Sequence, residues 1–124
     1  MHHKLPGALP FRLLLALALV VVAHLATAPA DSLPSWQLND KLGHLLTFYG
    51  LALLVDFSFR GSGYGLGKAL PLLGYGLLIE LIQNFIPYRD FSLLDLGADA
   101  LGLAAYATSL PLLRRTPVLA GRWP

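Results

Sequence analysis

Glu80, Gln83, Arg89, Asp95 and Asp99 interrupt a stretch from Glu80 to Gly102 that is otherwise apolar enough to lie in a membrane, and Lys41 and His44 stand in a similar setting upstream. A carboxylate placed in hydrocarbon costs several kcal/mol unless a partner compensates, so such residues are usually kept for a task. Glu80 and His44 are the candidate proton carriers, able to act as general acid or base. Lys41, Gln83, Arg89, Asp95 and Asp99 are the candidate ligand contacts. Lys41 and Arg89 suit a phosphate, Arg89 bidentately, while Gln83 and Asn84 offer neutral hydrogen bonds. Asp95 and Asp99 could orient the proton carriers or hold a divalent metal. Mg²⁺ would prefer oxygen ligands, and a site containing His44 also suits Zn²⁺ or Mn²⁺. No H-E-x-x-H or other recognised catalytic spacing is present. Binding and catalysis therefore stand as competing readings, beside a structural network of buried ion pairs that fixes helix register. Proton or ion transport is a fourth; its sign would be polar groups deep in the inner half, where only Asp56 lies.

The elements that must position these residues follow from composition. Of 124 residues, 56% are hydrophobic and 13% charged, against roughly 25% charged in an ordinary soluble domain. A soluble domain of this length needs more polar surface, whereas about 20 apolar residues per span allow four spans with short connections. The expected class is all-α: one domain over 1–124, a bundle of four transmembrane helices arranged as two helical hairpins. The absence of cysteine excludes disulfides, thiolate metal sites and Cys nucleophiles, and a net charge of +2 is too small to suggest nucleic acid.

The helices are expected at about 10–28, 41–59, 69–86 and 92–113. The first apolar run follows Lys4 and Arg12 and precedes the turn-forming stretch Pro29 to Pro34; it reads as a transmembrane helix or as a signal peptide with a small-residue cleavage site. His24 within it reads as a helix-facing or interfacial histidine rather than a ligand. Asn39 or Asp40 is placed to cap the second helix, on which Lys41, His44 and Phe48 share a face. Asp56 lies near its far end beside Arg60, where an interfacial carboxylate costs little. The glycine-rich stretch Arg60 to Lys68 lacks the G-x-x-x-x-G-K-[ST] register, so it reads as a flexible turn between two basic anchors rather than a phosphate loop. The third helix carries Pro71 in its first turn and Glu80, Gln83 and Asn84 on one face. The fourth sets Asp95, Asp99, Gly102 and Tyr106 along one stripe, with small residues that let another helix approach closely.

Basic residues fix an orientation. Lys4 and Arg12, Arg60 and Lys68, and Arg114, Arg115 and Arg122 fall on alternate sides of successive spans, which places both termini in the cytoplasm and the loops 29–40 and 87–92 outside. At a rise of ~1.5 Å per residue, Glu80 lies ~9 Å below Pro87, Asp99 ~10 Å below Ser92 and His44 ~6 Å below Asp40. Three helices thus bring ionisable groups to one layer under the outer surface. Glu80 and Asp99 are too short to reach water from that depth, and are expected to face inward and pair with Lys41, Arg89 or His44.

The pieces D-K-L-G-H at Asp40 to His44, E-L-I-Q-N-F-I-P-Y-R at Glu80 to Arg89 and D-L-G-A-D-A-L-G at Asp95 to Gly102, taken in this order and spacing, resemble the VanZ-like family of small bacterial integral membrane proteins. The resemblance covers the core at 40–102; the family pattern usually has Asn where this chain has Asp99. It implies a multi-pass protein of the bacterial cytoplasmic (inner) membrane and cell envelope, in a family linked to low-level resistance to glycopeptide antibiotics such as teicoplanin. The partner it suggests is a membrane lipid, a lipid-linked envelope precursor or an amphiphilic glycopeptide, bound or modified at the outward-facing cluster.

Overall fold

The computed structural model describes residues 7–28, 40–59, 61–86, 92–117 and 119. Four α-helices make up the described chain: α1 (Ala8–Thr27), α2 (Asp40–Ser58), α3 (Leu66–Asn84) and α4 (Leu93–Arg115). Three of them, α1, α3 and α4, are long and apolar enough to cross a membrane. The fourth, α2, is of similar length but carries Lys41, His44 and Asp56.

Local chemistry explains where the helices start. Pro10 sits in the first turn of α1, where its missing N–H leaves no helical bond unmade. Ser92 caps α4, its hydroxyl accepting the Asp95 N–H at 3.2 Å, and Asp95 itself sits in the first turn where a negative charge suits the helix dipole. The start of α3 differs from expectation. The amides of Lys68 and Ala69 both donate to the Gly65 carbonyl, at 3.0 and 2.9 Å, so the helix begins at Leu66 and Pro71 lies past the first turn. The tether that makes this possible is Lys68, described below.

The helices alternate in direction. Arg12 near the start of α1 donates from Nε to the Ser58 carbonyl at the end of α2 (2.9 Å), while Gln83 near the end of α3 donates to the Ala26 carbonyl near the end of α1 (2.8 Å). Along its length α1 buries no residue. It is held by those two bonds, by Tyr75 donating to the Leu19 carbonyl, and by Phe11 packed edge-on against Phe57.

The tightest packing joins α2 to α4, which are not neighbours in sequence, so the bundle is more interlocked than two side-by-side hairpins. Its core consists of Phe48, Leu51, Ala52 and Val55 from α2, Leu72 from α3, and Leu103, Tyr106 and Leu110 from α4. Leucines such as Leu13, Leu17, Leu70, Leu94, Leu101 and Leu112 point outward. Apolar surfaces around a partly polar interior fit a hydrocarbon surround, where association rests on close van der Waals contact rather than on escape from water.

Gly102 permits that contact. A Cβ there would strike the Leu45 carbonyl oxygen and lie 3.0 Å from the Tyr49 nitrogen, both backbone atoms that cannot rotate away. Gly76 serves similarly on α3, where a Cβ would meet Asp99 Oδ2 at 2.7 Å and the Phe48 ring at 3.1 Å. Gly97, by contrast, has open space beside it. Gly102→Ala is therefore expected to destabilise the bundle by about 1–3 kcal/mol, while Gly97→Ala leaves the detergent melting temperature unchanged or raised. Equal melting curves for the two variants would refute the close α2–α4 approach.

Candidate functional site

Five of the residues singled out from sequence come together at the end of the bundle where α2 and α4 begin and α3 ends. Lys41 donates to Asp95 Oδ1. His44, one turn further along α2, places Nδ1 2.7 Å from Asp99 Oδ1 and Nε2 3.6 Å from Asp95 Oδ2. Glu80 arrives from α3, its Oε2 accepting the Ser92 backbone N–H at 3.0 Å. One ligand atom each from His44, Glu80 and Asp95 lie within 4.8 Å of one another. The placement follows from helical spacing. Lys41 and His44 occupy one face of α2, Asp95 and Asp99 one face of α4, and Gly76 lets α3 close over Asp99.

Exposure falls steadily with depth. The side chains of Lys41, His44, Asp95 and Asp99 are 44, 22, 12 and 2% exposed, and Glu80 is fully buried. Among the described residues, Glu80 Oε1 has no hydrogen-bond partner, nor has Gln83 Oε1. A buried acceptor left unsatisfied costs about 1–3 kcal/mol, so these two oxygens are the unexplained polar atoms among the described residues.

The other candidates lie apart from this group or outside the described residues. Gln83 is buried but turned toward α1, where its amide nitrogen meets the Ala26 carbonyl. Asn84, the last residue of α3, is exposed. Arg89 lies outside the described residues, as does Asn39. Sequence reasoning did not include Ser92, whose backbone N–H holds Glu80 and whose side chain caps α4; a serine directly before an apolar helix was the available signal.

A second polar group at the opposite end differs from expectation. Asp56, expected as an interfacial carboxylate, is 3% exposed. Its Oδ1 is 2.7 Å from Lys68 Nζ, and its Oδ2 accepts the Tyr106 hydroxyl at 2.6 Å. Lys68, expected as an interfacial anchor, is buried and also donates to the Phe59 and Ser62 carbonyls at 2.9 and 2.7 Å. Tyr64 stacks edge-on against Tyr106 and donates to the Leu103 carbonyl at 3.1 Å. Burial, and then the Asp56 charge, push its phenol above the ordinary value, so it remains a donor. Both carboxylate oxygens and the ammonium are satisfied here. The group closes the glycine-rich turn onto the bundle.

The two ends therefore differ in kind. The Asp56 group is sealed and paired throughout, whereas the Lys41 end is graded in exposure, acid-rich among the described residues, and holds the unsatisfied Glu80 Oε1.

No protein-family model matches the chain, and no solved structure matches it. The chain is similar to an uncharacterized protein of Schizosaccharomyces pombe, with 35% identity over 88 residues. That alignment covers 68% of this chain and 52% of the relative, so the chain spans about half the length of the protein it matches.

Proposed function

We propose that this chain is a VanZ-like integral membrane protein of four spans, with both termini cytoplasmic, whose polar cluster binds the polar part of a membrane-embedded amphiphile from the outer leaflet. The observation that carries this reading is the gradient from half-exposed Lys41 through His44 and Asp95 to fully buried Glu80 with its unsatisfied oxygen. A purely structural network would be paired throughout, as the Asp56 group is. Lys41 at the mouth would meet an anionic head group first, and the deeper acceptors would receive its hydroxyl or amine hydrogens.

The fungal source of the similar protein favours a phospholipid-type head group over a ligand confined to the bacterial wall. Affinity for a lipid-linked envelope precursor or a glycopeptide would then follow from a shared phosphate or amphiphilic character. The protein purified in mild detergent should retain phospholipid detectable by native mass spectrometry, and Lys41→Met with His44→Gln should lose it. Equal retention by the variant would sink the proposal.

A membrane-embedded hydrolase or transferase is the second reading, favoured by one observation. Asp99 holds His44 Nδ1 while Nε2 faces away from it toward Asp95, as in a histidine poised for proton transfer. Release of a soluble head group from a lipid substrate by the purified protein, abolished in His44→Gln, would establish it.

Topology has its own test. Arg12, Lys68, Arg114 and Arg115 fall at one end of the bundle, and the Lys41 cluster at the other. With the positive end inside, a cysteine at Ser35 should be labelled in intact cells and one at Ser62 only after permeabilisation; the reverse pattern would overturn the orientation.

A further inference from the structure

We infer that His44, Glu80 and Asp95 form a binding site for a single divalent transition-metal ion of the zinc or manganese class.

Three features of the cluster converge on this. His44 Nε2 and Asp95 Oδ2 stand 3.6 Å apart, beyond a good hydrogen bond. Two ligands at about 2.0–2.2 Å from a shared ion in tetrahedral coordination are separated by roughly 3.4 Å. The pair is thus spaced as neighbours around an ion. Second, Glu80 is fully buried, has an oxygen without a partner, and brings a ligand atom within 4.8 Å of the other two.

Third, each ligand is held from behind by a different group. Asp99 takes His44 Nδ1 at 2.7 Å. Because a carboxylate accepts, Nδ1 carries the hydrogen and Nε2 keeps the lone pair a metal needs. Lys41 occupies Asp95 Oδ1 and leaves Oδ2 toward His44. The Ser92 N–H occupies Glu80 Oε2 and leaves Oε1. Outer partners of this kind orient ligands and tune their basicity in metal sites.

The ligand chemistry points the same way. Imidazole with two carboxylates suits zinc or manganese, whereas magnesium and calcium prefer oxygen alone. The inference rests on the geometry of the cluster and not on lipid binding; a protein that retained lipid but no metal would keep the proposed function and lose this site.

The test is equilibrium dialysis of the full chain in detergent against Zn²⁺ or Mn²⁺ alone, with Co²⁺ as an optical stand-in. One ion per chain is expected, with a Co²⁺ visible spectrum showing mixed nitrogen and oxygen ligands. Glu80→Gln and His44→Gln should each weaken binding by at least about 100-fold, and Asp99→Asn, which alters only the positioning of His44, by about 10–100-fold with an unchanged melting temperature. Replacing His2 and His3 together should change nothing. Stoichiometric binding that survives Glu80→Gln, or that disappears with His2 and His3, would overturn the site, as would no binding at millimolar metal. Should His44→Gln fail to fold, the Glu80→Gln protein decides the matter.

Discussion

Lys68→Met is expected to lower the stability of the bundle by about 3–5 kcal/mol, because it takes the ammonium away from the buried Asp56 carboxylate and leaves the Phe59 and Ser62 carbonyls without their donor. Removing both charges together, as Asp56→Leu with Lys68→Met, should recover much of that loss, since an apolar pair of similar volume needs no compensation. Recovery will be incomplete. The double variant still frees the turn carbonyls and leaves the Tyr106 hydroxyl without its acceptor. Tyr106→Phe alone should cost about 1–3 kcal/mol, by removing a buried hydrogen bond to a carboxylate. Thermal unfolding in detergent reads all of these. A double variant as unstable as Lys68→Met would mean that the turn contacts, and not the ion pair, hold this end together.

The second large effect runs in the opposite direction for stability. Glu80→Gln keeps the shape of the side chain and an acceptor for the Ser92 N–H, while removing a buried carboxylate that has one oxygen without a partner. The melting temperature should stay level or rise, by the equivalent of about 1 kcal/mol. Retention of bound phospholipid should nevertheless fall at least about tenfold, the pattern expected where a site keeps groups that the fold does not need. A fall in stability with full retention would assign Glu80 to the scaffold.

Much of this architecture is legible in the residues themselves. Apolar runs of spanning length, separated by proline- and glycine-rich stretches, place the four helices to within a few residues. The start of α3 is the exception, because a Gly-x-Gly-x-Gly series looks like a loop until Lys68 is seen to pull it onto Asp56. Helical spacing and shared depth were enough to bring His44, Glu80, Asp95 and Asp99 to one layer. They could not say which carboxylate takes which partner, since that depends on the rotation of α2 against α4 set by Gly102. Nor could they separate Gln83 from Glu80: the two share a face of α3, but that face spans two neighbours, and α1 covers the part holding Gln83. Asp56 and Lys68 were legible as charges near helix ends and not as a pair, because two anchors in head groups and one buried bridge have the same sequence signature.

The close fit of α2 against α4 also sets an order of assembly. Asp56 and Lys68 stand 12 positions apart, so their bridge can close as soon as the first turn of α3 has been made. Lys41 and Asp95 are separated by 54 positions and His44 and Asp99 by 55. Their contacts must wait until α4 is inserted and Gly102 slides against Leu45, with α3 already in place between. A nascent chain that has released only α2 and α3 therefore holds the Asp56–Lys68 bridge but still lacks the Tyr106 hydroxyl at that end and the α4 carboxylates at the other. The carboxylate cluster thus comes into being only with α4, and in the proposed four-span membrane protein a chain stalled before α4 should be recognised by that exposed charge.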